Sequence, residues 1–128
     1  MAQPNDITPN RRRFVRVPIR ARVALSSRTV RDLISGPLHD ISEGGLFIKT
    51  KASRPIGTKI TIRIAVPAED VTLELGGEIV RVVSVEESRR SHQPVGLGVM
   101  FTDLDETTKR TLARLVKAAV EARTGAAP

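Results

Sequence analysis

TKITIRIAV, residues 58–66, alternates without a slip: Ile60, Ile62, Ile64 and Val66 share one face of an extended chain, and Thr61 and Arg63 the other. Successive side chains of a strand point to opposite faces, so this stretch predicts a half-buried β-strand. The same period recurs on both sides of it. Upstream, Val23 and Leu25 alternate with small or polar neighbours. Downstream, VTLEL aligns Val71, Leu73 and Leu75, and VGLGVMF sets Leu97, Val99 and Phe101 against Gly96, Gly98 and Met100. Gly76 and Gly77 suggest a bulge or bend before EIVRVVSV continues, and ESRRSHQP reads as a polar loop. The glycines of VGLGVMF leave room for another backbone to come close. A curved antiparallel sheet is the expected outcome.

The period then changes. Leu112, Leu115, Val116, Ala119 and Val120 recur at helical spacing, which predicts a helix over 105–122 that covers an end or flank of the sheet. Asp103 and Glu106 have the spacing of a capping box at its start. Residues 1–10 are polar, carry Pro4 and Pro9 and lack any apolar period, so they read as a disordered tail, as do residues 124–128. One domain over 11–123 remains.

Composition narrows the function. The chain has 128 residues and no cysteine, tryptophan or tyrosine, so aliphatic side chains must fill one core of single-domain size. Without cysteine there is no disulfide, thiolate nucleophile or thiolate metal site. His39 and His92 are the two histidines, and neither lies at metal-ligand spacing from another. His39, Asp40 and Ser42 are too close in sequence to assume the mutual geometry of a catalytic triad, so no enzyme is expected. No secretory signal and no apolar run of membrane-spanning length is visible, which makes a cytoplasmic protein the expectation.

The net charge is +7, and its distribution says more than its size. Between Arg11 and Arg31 there are eight arginines and no acid. Such a field attracts phosphates, acidic lipids or acidic protein surfaces without choosing among them. A second segment, HDISEGGLFIKT at 39–50, reads most plainly as a tight turn before a strand, with Asp40 and Ser42 bonding nearby amides and Gly44 and Gly45 supplying backbone freedom. It is no triphosphate-binding loop, because a strand rather than a helix follows. Taken together the two segments are chemically complementary. Arginine forks bind phosphate and match the O6 and N7 edge of guanine, and a carboxylate such as Asp40 matches guanine's N1 and N2 donors. A ligand holding both guanine and phosphate would use both.

Arg12 and Arg16 form RxxxR within RRRFVR, and Asp40, Ser42 and Gly45 form DxSxxG within DISEGG. Together these resemble the paired signatures of the PilZ domain, a bacterial receptor for cyclic di-GMP, and the resemblance continues through GGEIVRV and GLGVMFTDLD to the terminal helix. It implies a six-stranded antiparallel barrel with a C-terminal helix, binding cyclic di-GMP on its outer surface and needing no cofactor. Carried over position by position, Arg12 and Arg16 on the lead-in 11–20 contact guanine and phosphate, Asp40 and Ser42 meet the base edge, and Gly45 permits close approach, with Gly44 beside it. Arg11 implies a self-stacked pair of ligand molecules, Arg13 either assists or faces water, and Arg81 stands roughly where some relatives carry a stacking aromatic, either to stack on guanine or as an exposed charge on a strand's outer face. The unliganded lead-in is expected to move, since its arginines have no acid nearby in sequence, and ligand-driven ordering is expected to signal to an unidentified protein partner in motility, chemotaxis or exopolysaccharide synthesis. Two rivals are weighed beside this reading. One is a PilZ protein-interaction module blind to nucleotide. The other is a nucleic-acid-binding small barrel, disfavoured by the missing aromatic platform.

Overall fold

The computed structural model describes residues 15–27 and 34–123. Among these residues lie six strands, β1 (Arg22–Ser26), β2 (Ile34–Ile41), β3 (Gly45–Lys49), β4 (Lys59–Val66), β5 (Val71–Val83) and β6 (Gly96–Thr102), with a 3-10 turn (Pro67–Glu69) after β4, the helix α1 (Val85–Ser91) after β5 and the helix α2 (Glu106–Arg123) after β6. The strands close into a barrel in the order β1-β2-β3-β6-β5-β4, with every neighbouring pair antiparallel. The expected six-stranded barrel with a C-terminal helix is therefore observed.

The alternation of β4 becomes geometry directly. Ile60, Ile62, Ile64 and Val66 are buried, while Lys59, Thr61 and Arg63 are exposed. The thirteen-residue β5 ties the barrel together: its first part pairs with β4 from Val71 to Glu78 and its last part with β6 from Gly76 to Val83. Outside, Lys59 faces Glu78 and Arg63 faces Glu74 across the β4–β5 ladder. Such exposed pairs contribute about 0–1 kcal/mol each, so stability comes from the aliphatic interior. Leu112, Leu115 and Val116 of α2 belong to the same buried cluster as the strand side chains, which places the terminal helix on the barrel core as its periodicity required.

Three local expectations are corrected. The segment read as a polar loop is largely α1, and EIVRVVSV does not run on as strand beyond Val83. Ser84 caps this helix by accepting a hydrogen bond from the Glu87 amide at 3.1 Å, and Glu86, Glu87, Arg89 and Arg90 place acids at its start and bases at its end, as the helix dipole favours. None of its residues is buried. An apolar period therefore had nothing to report. Ser84→Ala is expected to cost about 1 kcal/mol, read as faster amide exchange in α1 at an almost unchanged global transition.

The bulge lies not at Gly76 and Gly77 but between Ile79 and Arg81, where the β5–β6 register shifts. The α2 cap is Asp105, not Asp103. Its Oδ1 accepts from the Thr108 amide at 2.7 Å, and its carbonyl accepts the Lys109 amide at 3.0 Å. Hydrogen bonds from the Thr108 amide, and then from its side chain, hold the Asp105 carboxyl below the ordinary value of 3.8. Because the native state favours the ionised form, the cap's contribution is complete above pH 3.8 and disappears as pH falls through the lowered native value. Protection of the Thr108 amide should thus fade on acidification below that point and be pH-insensitive in Asp105→Asn.

Candidate functional site

Two short segments meet on the outside of the barrel at the end of β2. Val17 forms an isolated antiparallel bridge with Ile41, its amide donating to the Ile41 carbonyl at 2.9 Å and its carbonyl accepting from the Ile41 amide at 2.9 Å. Both side chains are buried, so burial and paired hydrogen bonds pin the end of the arginine-rich lead-in. The residue before the pin is Arg16 and the residue before its partner is Asp40.

The bridge brings these two together although 24 positions separate them in sequence. Arg16 donates from Nη2 at 2.7 Å and from Nε at 3.1 Å, both to Asp40 Oδ1. The other carboxylate oxygen lies 3.0 Å from His39 Nδ1. No acid lies near the lead-in arginines in sequence, and Arg16 finds one that is distant in sequence and adjacent in space. The side chains remain 47% and 22% exposed, so both stay within reach of a ligand.

The turn after Asp40 is built on Ser42. Its side chain is the buried polar one among the described residues, at 2% exposure. Its Oγ accepts hydrogen bonds from the Gly44 amide at 3.1 Å and the Gly45 amide at 3.2 Å, while its own amide donates to the Gly45 carbonyl at 2.8 Å. The Gly44 carbonyl accepts from the Phe101 amide at 2.9 Å, tying the turn to β6. Gly45 sits against that strand: a Cβ there would lie 2.2 Å from the Val99 carbonyl oxygen. Only hydrogen fits.

Across the outer wall the register sets Asp40 opposite Phe47, Phe47 opposite Gly98, and Gly98 opposite Arg81. Strand alternation signals the position of Phe47: Leu46 and Ile48 belong to the interior cluster, so Phe47 lies on the outer face, where its neighbours leave it only 8% exposed. Its ring meets the His39 ring edge-on at a centroid distance of 5.9 Å and lies over Gly96, where a Cβ would come within 2.7 Å of Phe47 Cε2. The bare glycines of β6 make that seat. A Cβ at Gly96 would also lie 2.1 Å from the Ile48 carbonyl oxygen, the close backbone approach its sequence suggested. Arg81 is exposed at the far end of this row and hydrogen-bonds Gln93 Oε1 from Nη2.

The structure thus unites Arg16, Asp40, Ser42, Gly44 and Gly45, with Arg81 on the same wall. Arg11, Arg12 and Arg13, like the two expected tails, lie outside the described residues. His92 stands apart at the end of α1, and among the described residues no three His, Asp or Glu side chains are grouped to hold a metal ion. No helix among them is long and apolar enough to cross a membrane.

A family model described as the PilZ domain matches residues 10–118. Comparison with curated proteins gives no match. Among solved structures, the PilZ domain with c-di-GMP of YcgR from Escherichia coli is similar, with a TM-score of 0.65 and 17% identity over 91% of this chain and 97% of that one. So is the PilZ domain of CeSA from a cellulose-synthesising bacterium, at 0.59 and 19% over 81% and 96%. The Bacillus subtilis inhibitor of motility, MotI/DgrA, gives 0.68 and 16%, over 90% of this chain and 52% of that protein.

Proposed function

The chain belongs to the PilZ domain family, and on that footing we propose that it is a noncatalytic receptor for cyclic di-GMP that signals to a partner protein. The observation that carries the reading is the Arg16–Asp40 pair, held at the end of the lead-in beside the Ser42 turn. It supplies one group for each half of the ligand. The Asp40 carboxylate accepts from guanine N1 and N2, and the Arg16 fork takes phosphate or the guanine O6 and N7 edge.

In the free protein these groups satisfy each other, so binding is an exchange of partners. Guanine donors replace guanidinium on Asp40, and ligand anion replaces carboxylate on Arg16. Few charge-assisted hydrogen bonds are lost, and the resting pair keeps both groups oriented before the ligand arrives. Ser42 acts from beneath, its hydroxyl fixing the amides of Gly44 and Gly45, while Gly45 lets the ligand approach the wall. Arg11, Arg12 and Arg13 add positive charge from the lead-in, with Arg11 favouring a stacked pair of ligands, and Arg81 borders the base. Separation of Arg16 from Asp40 releases the lead-in to a new position, and that rearrangement is the output. The named likeness to an inhibitor of motility supports an output in motility, with chemotaxis and exopolysaccharide synthesis as the related settings.

Calorimetric titration with cyclic di-GMP, run beside GTP and beside Arg12→Ala, tests the reading. Saturable binding of cyclic di-GMP alone, weakened in the variant, is expected, and a stoichiometry near two supports the Arg11 role. At free ligand about one hundred times Kd, roughly 2.7 kcal/mol of added stability should raise the melting temperature. No heat and no shift in melting would contradict it.

A further inference from the structure

Beyond the Val17 bridge, a cleft of about 670 Å³ opens between residues 18–22 and residues of β2 and β3. Pro18, Ile19, Pro37 and Pro67 give it an apolar, conformationally restricted lining. Arg20, Arg22 and Lys49 add positive charge, His39 adds its ring, and no carboxylate lines it. The contrast with β4 is informative: Lys59 and Arg63 are answered by Glu78 and Glu74 across the ladder. Among the described residues, Arg20, Arg22 and Lys49 form no such ion pair.

We infer that this cleft docks an acidic peptide segment of a protein partner, its carboxylates on Arg20, Arg22 and Lys49 and its aliphatic side chains or prolines on the lining. Charge complementarity selects an anionic occupant, and the lining selects among anions. Proline and isoleucine surfaces gain from aliphatic burial, whereas a single-stranded nucleic acid calls for an aromatic platform, and no Phe, Tyr or Trp lines the cleft. The barrel is closed, so a partner finds no free sheet edge to extend and must engage side chains. The cleft is also wired to the nucleotide site. His39 lines the cleft and approaches Asp40 through Nδ1, and Pro18 follows the Val17 bridge directly. Docking itself needs no nucleotide, whereas its control by cyclic di-GMP rests on the receptor reading.

The test is selection of a random twelve-residue phage-displayed library on the nucleotide-free protein, counter-selected on Arg20→Glu/Arg22→Glu. Enrichment of sequences combining Asp or Glu with Leu, Ile, Val or Pro is expected. A synthetic selected peptide should bind at least tenfold more weakly to the double variant and to Lys49→Glu, each first shown to melt like the parent, and should shift the amide resonances of Ile19 and Lys49. Should the charge reversals fail to fold, Lys49→Ala replaces them with a several-fold loss expected. Enrichment of neutral or basic sequences, equal binding by the variants, or capture of single-stranded DNA with no acidic peptide selected would overturn the proposal. Repeating the peptide titration at saturating cyclic di-GMP measures the link. A failed nucleotide titration leaves peptide docking standing, and failed docking leaves the receptor reading standing.

Discussion

Asp40→Ala is expected to weaken cyclic di-GMP binding by at least a hundredfold while moving the melting temperature by no more than a few degrees. Two guanine donors lose their charged acceptor, and hydrogen bonds to charged groups contribute about 1.5–3 kcal/mol each, so a hundredfold loss, about 2.7 kcal/mol, is the conservative figure. Freed from its carboxylate, Arg16 becomes more available to phosphate, but nothing replaces the acceptor for the base edge. Fold stability is spared because the pair is exposed on the barrel's outside, where ion pairs contribute about 0–1 kcal/mol. Asp40→Asn keeps one acceptor oxygen and should fall between parent and Ala. Calorimetry on the three proteins, with thermal unfolding alongside, gives the comparison, and equal affinities would remove Asp40 from the site.

Gly45→Val has the opposite signature, a large loss of stability that carries binding with it. The added Cβ starts 2.2 Å from the Val99 carbonyl oxygen and 3.3 Å from Met100 Cα, both backbone atoms of β6, so no side-chain rotation relieves the clash. The β3–β6 ladder, in which Gly45 opposes Met100, must part or shift register. Overpacking of this kind costs about 1–3 kcal/mol, and the two further methyl groups push valine to the upper end. A melting temperature lower by about 10 °C is the expected reading. An unchanged transition would show that β3 and β6 are not packed as described.

The two variants also mark how legible the molecule was in its sequence. Strand periodicity located β4 because it has one face in the core and one exposed, the condition under which a period of two is informative, and located β6 because glycines alternate there with core side chains. The terminal helix was legible for the corresponding reason, its stripe of Leu112, Leu115 and Val116 being buried. Helix α1 was illegible by that criterion, since Val85 is exposed and nothing else in VEESRRS is aliphatic. Its signal was the Ser84–Glu87 capping spacing. The bulge between Ile79 and Arg81 has no residue-type signature, and the nearby glycines answer to packing: a Cβ at Gly77 would meet Ile62 and Val99 inside the barrel.

The candidate site divides the same way. Asp40, Ser42, Gly44 and Gly45 form a local turn whose chemistry is written in consecutive residues. The pairing of Arg16 with Asp40 depends on the Val17–Ile41 bridge, a contact between segments that only the closed fold brings together. The approach of His39 to Phe47 depends on the irregular register between Leu38 and Asp40. Neither can be read from spacing.

The central claim is that cyclic di-GMP separates Arg16 from Asp40, and an amide and guanidinium nitrogen-15 NMR titration observes that event directly. The account predicts that added ligand moves the Arg16 Nε resonance and the amides of Asp40, Gly44 and Gly45 together along one saturation curve, with the α2 amides unaffected. Saturation that leaves Arg16 and Gly45 unmoved, or shifts confined to another face of the barrel, would contradict it.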